Sequence, residues 1–256
     1  MTAIRTTDYY LEVAKGNVEG TTTGFIVGVN TDVGSVNTES IWDVGGDYVY
    51  LTANTQLYAS SSSASDTSVS IVVTGLDEDF IEVTRTVTVT GQTQVALSGL
   101  MYRVYNAFVI GSSSPVGDIY IAESTTLSGG VPTTNAPIKT KIPLSTIVGE
   151  AAEFASDNFS HNGFYTVPAG KTLHLVYFTT SIRKNEDAII SGRVRLEGGV
   201  WFNRSPTPLY QSPTVQEFNT RLPIAEKTDL EWRVIAGSAG TQIQFQLQFV
   251  LVDNPV

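Results

Sequence analysis

The sequence contains no cysteine, which removes disulfide scaffolds, thiolate zinc sites and thiol nucleophiles together. Histidine is nearly as scarce: His161 lies in the loop SHNGF and His174 inside KTLHLVYF. A Ser-His-Asp triad needs a histidine beside a nucleophile on a sharp turn, and no GxSxG occurs. Neither histidine has a cluster of metal-binding residue types at close spacing, so both are expected to be structural or exposed. Long apolar runs are missing, and none approaches the ~18 residues of a membrane helix. The N-terminal MTAIRTTDYYLEVAKG lacks the apolar centre of a signal peptide, so none is expected. Glycine pairs occur at 45–46, 129–130 and 198–199, but none fits GxGxxG opening a helix or precedes GK[ST]. That argues against nucleotide binding through such loops.

Charge is thin as well, at 16% of residues against the ~25% of ordinary domains. Ser, Thr, Gly, Asn, Val and Tyr fill the space, a composition of strands and polar turns. The 256 residues suffice for one large β domain or two ordinary ones. The net charge of −10 is uneven. Residues 1–135 carry four basic against 14 acidic side chains, and residues 136–256 carry 11 of each. A phosphate backbone would be repelled by the first half, so no nucleic-acid partner is expected.

Alternation of apolar and polar residues dominates the chain. In FIEVTRTVTVTG (80–91), Ile81, Val83, Val87 and Val89 share one face with Arg85, opposite Phe80, Glu82 and three threonines. In TQIQFQLQFVLVD (241–253), Ile243, Phe245, Leu247, Phe249 and Leu251 face one way and four glutamines the other. YVYLTA (48–53) and TQLYAS (55–60) read as paired strands, and SPTPLYQSP (205–213) as a proline-broken loop. The one plausible helix is STIVGEAAEFASDNF (145–159). The fold expected is all-β: two tandem antiparallel sandwich or jelly-roll modules. The boundaries are an extended N-terminal arm (1–24), an acidic sandwich (25–123), a linker (124–137) and a second sandwich (138–256).

Few residues suggest chemistry. Asp77, Glu78 and Asp79 crowd into one turn, the weak candidates for a calcium site, but the spacing of an EF-hand is missing. Glu186 and Asp187 are adjacent on a loop, whereas glycosidase carboxylates face each other across a cleft. Trp42, Trp201 and Trp232 suit packing better than a sugar platform. Trp42 is expected to plug the edge of the first sandwich, with Gly45 and Gly46 supplying the backbone of the next turn. Tyr9 and Tyr10 join these as structural or interface residues. No catalytic residue and no cofactor are expected.

The segments IWDVGGDYVY, TGLDEDFIEVTRTVTVTGQTQVAL, GDIYIA, FYTVPAGKTLHLVYFTTSIRKN, LPIAEKTDLEWRV and FVLVDN follow one another in an order that resembles a family of tailed-bacteriophage virion structural proteins. The resemblance spans nearly the whole chain after about residue 17. It implies a non-enzymatic particle component assembled in the host cytoplasm, with a capsid decoration (cement) protein as the main expectation. The partners implied are the major capsid protein or other virion proteins, and by analogy a homotrimer, with no membrane partner. The alternatives are a tail, neck-fibre or host-adhesion component binding a glycan through Trp201, Trp232 and Tyr210, and a non-viral carbohydrate-binding or esterase-like jelly roll. Residues 1–24 would then act as a clamping arm that adds a strand to a neighbour's sheet.

Overall fold

The computed structural model describes residues 9–144, 158–183, 187–210, 213–218 and 222–255. Antiparallel strands dominate them, as the composition requires. The helix expected over 145–159 lies outside the described residues, except for Asn158 and Phe159.

One sandwich is built from the two ends of the chain. Its first sheet has the order β1 (Thr21–Val33), β19 (Thr241–Asp253), β13 (Lys171–Arg183), β16 (Thr214–Glu217), with β17 (Pro223–Ile224) also on β13. Its second sheet has the order β12 (Phe164–Thr166), β18 (Thr228–Ala236), β14 (Asp187–Leu196), β15 (Phe202–Tyr210), and β2 (Glu39–Ser40) pairs with β18. The alternation in β19 explains this assembly: Ile243, Phe245, Leu247, Phe249 and Leu251 all turn into the core. They meet Ile26, Phe178, Ile190 and Trp232 from the other strands. Each such large side chain, once buried, stabilises by roughly 1.5–3 kcal/mol.

The other sandwich lies between these ends in sequence. One sheet has the order β11 (Ile138–Ile142), β8 (Ile119–Glu123), β3 (Thr55–Ser61), β6 (Val95–Met101). The other has the order β5 (Glu82–Thr88), β4 (Ser70–Leu76), β7 (Arg103–Ile110). Leu57, Ile71, Met101, Ile119, Ile121 and Ile142 form its centre.

Several boundaries differ from the sequence reading. The arm is not extended throughout, because Tyr9–Ala14 form a helix, α1, that seats Val13 on Val176 and Val250 of the neighbouring sheet. Residues 21–24 are the start of β1, hydrogen-bonded to β19. The segment 124–137 contains a small hairpin, β9 (Leu127–Ser128) and β10 (Val131–Pro132), and runs directly into β11 beside β8. It is thus part of the inner sandwich rather than a connector. YVYLTA forms no ladder: Tyr48 and Leu51 are buried as the chain crosses between the modules, and the Tyr48 amide donates to Ser40 Oγ instead. Most of the proline-broken segment belongs to β15, where an edge position spares Pro206 and Pro208 a second ladder.

Candidate functional site

The residues with the most chemical potential collect where the modules meet. On β18, Leu230, Trp232 and Val234 point into the core, so Asp229, Glu231 and Arg233 occupy the opposite face. Asp229 and Glu231 are fully buried there. A buried carboxylate is strongly unfavourable unless paired and hydrogen-bonded. Arg103 of β7 meets Asp229 with a two-pronged contact, Nε to Oδ1 at 2.9 Å and Nη2 to Oδ2 at 3.2 Å. Arg195 stands opposite Asp229 on β14 and donates from Nη2 to Oδ2 at 2.6 Å, and Thr166 Oγ1 donates to Oδ1 at 2.6 Å. Glu231 accepts from Arg193 Nη2 at 2.8 Å and from Ser40 Oγ at 2.6 Å. The remaining Arg103 nitrogen, Nη1, donates to the carbonyls of Leu51 and Tyr102. Burial works against the charge on Arg103, but Asp229 more than offsets it and holds the guanidinium above its ordinary pKa.

Aromatic rings surround this ionic layer. The guanidiniums of Arg193 and Arg195 lie 4.2 and 4.5 Å from the centre of the Trp201 ring, and Arg195 also covers Tyr50 at 4.8 Å. Tyr48 stacks on Phe164 with centroids 3.8 Å apart, and Trp42 meets both edge-on. Trp42 is fully buried, and its indole N–H donates to the Gly45 carbonyl at 3.0 Å. Gly45 and Gly46 have φ of 73° and 67°, the left-handed backbone that favours glycine. Trp42 does not plug the edge of the first sandwich. Phe164 and the Asn162 bridge hold it between the modules, while Ile41 enters the core built from the chain ends.

The flanking acids are also engaged. Asp43 accepts the backbone N–H of His161 at 2.5 Å and faces its ring Nδ1 at 3.2 Å. Burial pushes the Asp43 carboxyl up, against the opposing contacts with His161. Asp47 pairs with Arg233 at 2.6 Å. Lys139 is fully buried and donates to the carbonyls of Val49 and Ala136 while pairing with Glu123 at 2.9 Å. Burial lowers its pKa, and Glu123 opposes that shift.

The other residues singled out from the sequence do not converge on this seam. Trp232 belongs to the core, stacked on Phe245, and cannot form an outward platform with the half-buried Trp201 and the exposed Tyr210. Tyr9 and Tyr10 meet edge-on in α1, with Tyr9 exposed. Asp77 Oδ1 accepts the amides of Asp79 and Ile81, so it closes its own turn. Among the described residues no three side chains of His, Asp or Glu gather as a metal group, Asp77, Glu78 and Asp79 included. Sequence reasoning missed Phe80, which is buried, has φ of 63°, and lies 5.8 Å from Arg103 and 5.3 Å from Lys227. Alternation had placed it on a polar strand face. Arg103, Asp229 and Glu231 were missed too, and the only trace they leave is a charge where an alternating strand has room for one.

No family model and no curated protein matches the chain. Among solved structures, infectious bursal disease virus Gt strain aligns at 9% identity with a TM-score of 0.24, over 91% of this chain and 71% of that one. T=1 particles derived from the same virus align at 12% identity and TM-score 0.24, over 92% and 70%. A Parabacteroides distasonis protein aligns at 10% and TM-score 0.21, over 93% and 91%. Superpositions at this level carry no conclusion about what the chain does.

Proposed function

We propose that the chain is a non-enzymatic virion structural protein of a tailed bacteriophage, acting as a capsid decoration protein, with the N-terminal segment as its attachment device. The reading rests on the ordered motifs, and the positions of their residues are consistent with it. Trp42 packs between the two sandwiches, and Asp229 pairs across them with Arg103. The observation that carries the attachment role is the N-terminal edge. There β1 is an outer strand of 13 residues with Phe25 62% exposed, and the adjacent α1 presents Tyr9 and Leu11 outward. An open strand edge beside apolar side chains is the surface that strand addition to a neighbouring chain requires.

The test mixes purified protein with undecorated heads. Binding spread over the lattice in fixed stoichiometry is expected, and deletion of residues 1–19, which removes Tyr9 and Leu11 but keeps the β1 edge, should weaken it while circular dichroism stays that of a β protein. Binding confined to one vertex would favour a neck or tail component. Full lattice binding by the truncated protein would remove the N-terminal segment from the contact.

A further inference from the structure

The sandwich built from the chain ends is open on the side where β15 and β16, edge strands of opposite sheets, fail to pair. A cleft of about 390 Å³ enters the core there, between Leu175 and Phe178 of β13 and Ile190 and Val194 of β14. Small-molecule sites typically measure ~300–1,000 Å³ and are lined mainly by apolar groups with a few placed polar ones.

Three of the lining residues fall in one row. Trp232 stands opposite Gly192 in the β18–β14 ladder, and Gly192 stands opposite Arg204 in the β14–β15 ladder. Opposed residues on neighbouring strands share a face, so the three cross the cleft floor over two strand spacings, about 10 Å. The middle position has no side chain. The Trp232 ring leans towards it, and a Cβ on Gly192 would stand 3.3 Å from the indole Nε1. Trp232 is only 7% exposed, yet its N–H donates to no acceptor among the described residues. The nitrogen is not one of the described polar atoms sealed from solvent without a partner, so the N–H opens onto the cleft that Trp232 lines. At the other end of the row, Arg204 is exposed and has no ion-pair partner among the described residues. The ionisable groups on the lining are Arg193 and Arg204, and Arg193 is committed to Glu231. Among the described lining residues there is no carboxylate, which in a chain of net charge −10 makes the cleft complementary to an anion.

We propose that this cleft binds a small amphipathic carboxylate, an alkyl or aryl carboxylic acid. Its carboxylate sits over Gly192, accepting from the Trp232 indole N–H with one oxygen and from the Arg204 guanidinium with the other. Its apolar body lies against Leu175 and Phe178. The assignment is independent of the virion reading.

Titration of the full chain with decanoate, followed through the indole N–H resonances, tests this directly. The Trp232 resonance is identified by its loss in Trp232→Phe. A saturable shift of that resonance is expected. Decanol, which lacks the anion, should bind about tenfold more weakly, and Arg204→Gln should weaken decanoate by about the same factor. Arg204 is exposed, so this variant leaves the core intact. An unmoved Trp232 resonance, equal binding of decanol and decanoate, or an unaffected Arg204→Gln would each overturn the proposal. The rim also exposes Leu196, Phe202 and Leu222. If sedimentation shows self-association that Phe202→Ser disrupts, and decanoate does not bind the parent, a second copy fills the cleft and the small-ligand assignment falls.

Discussion

Tyr50 sits in the seam with its ring against Arg195 and Arg103 and its hydroxyl buried without a hydrogen-bond partner among the described residues. An unsatisfied buried hydroxyl is unfavourable by ~1–3 kcal/mol, whereas the ring contacts survive its removal. Tyr50→Phe should therefore raise stability by about 1 kcal/mol in urea denaturation. A loss of stability would mean that the hydroxyl is doing structural work. Residues of this sort were legible only in part. The Gly45–Gly46 turn announces itself, because adjacent glycines beside aspartates suit left-handed backbone. The pairing of Arg103 with Asp229 does not, because 126 positions separate them and no local pattern links one charge to the other.

At the scale of elements, β19 was the most legible, since five apolar residues at alternate positions leave one orientation that buries them all. α1 was not, because a six-residue helix gains its stability from the surface it covers. That surface is the apolar end of β19 and β13, at Val250 and Val176. Removing residues 1–19 should uncover it and lower stability by ~1.5–3 kcal/mol, the worth of one buried valine or leucine, with the fold retained. Extending the deletion through Val33 takes Ile26 and Val33 from the core and should abolish cooperative unfolding. Similar urea curves for the two truncations would show β1 to be dispensable. β15 was misread for a physical reason as well. Proline excludes a central strand but not an edge, and the position of a strand in its sheet is a tertiary property.

Across the whole molecule, burial pushes up the phenols of Tyr48, Tyr50, Tyr105, Tyr120 and Tyr165. In the unfolded chain these groups ionise near pH ~10. The folded form keeps its protons to higher pH, so the stabilisation is fully present below pH ~10 and is lost as pH rises through the folded values. Alkaline unfolding should therefore begin above pH ~10, with the phenolate absorbance of these five rising together with loss of the β circular dichroism. The chain has 11 tyrosines, so ionisation of all of them while the β signal stays intact would contradict the burial of these five rings. Four of the five, Tyr48, Tyr50, Tyr105 and Tyr165, take part in contacts that cross between the sandwiches, so the transition should take the modules together.

The sequence by itself determined the all-β class, the faces of its longest strands and the glycine corner after Trp42. Those follow from composition and from contacts within a few residues. Tertiary structure alone decided that the chain's two ends share one sandwich while its middle builds the other. It also decided that β18 shows acids to one neighbour and a tryptophan to its own core, and that Trp232, Gly192 and Arg204 fall into one row. Each of those depends on which strands lie side by side. Pairing is selected by how well distant faces fill and neutralise one another, and no short stretch of sequence contains that information.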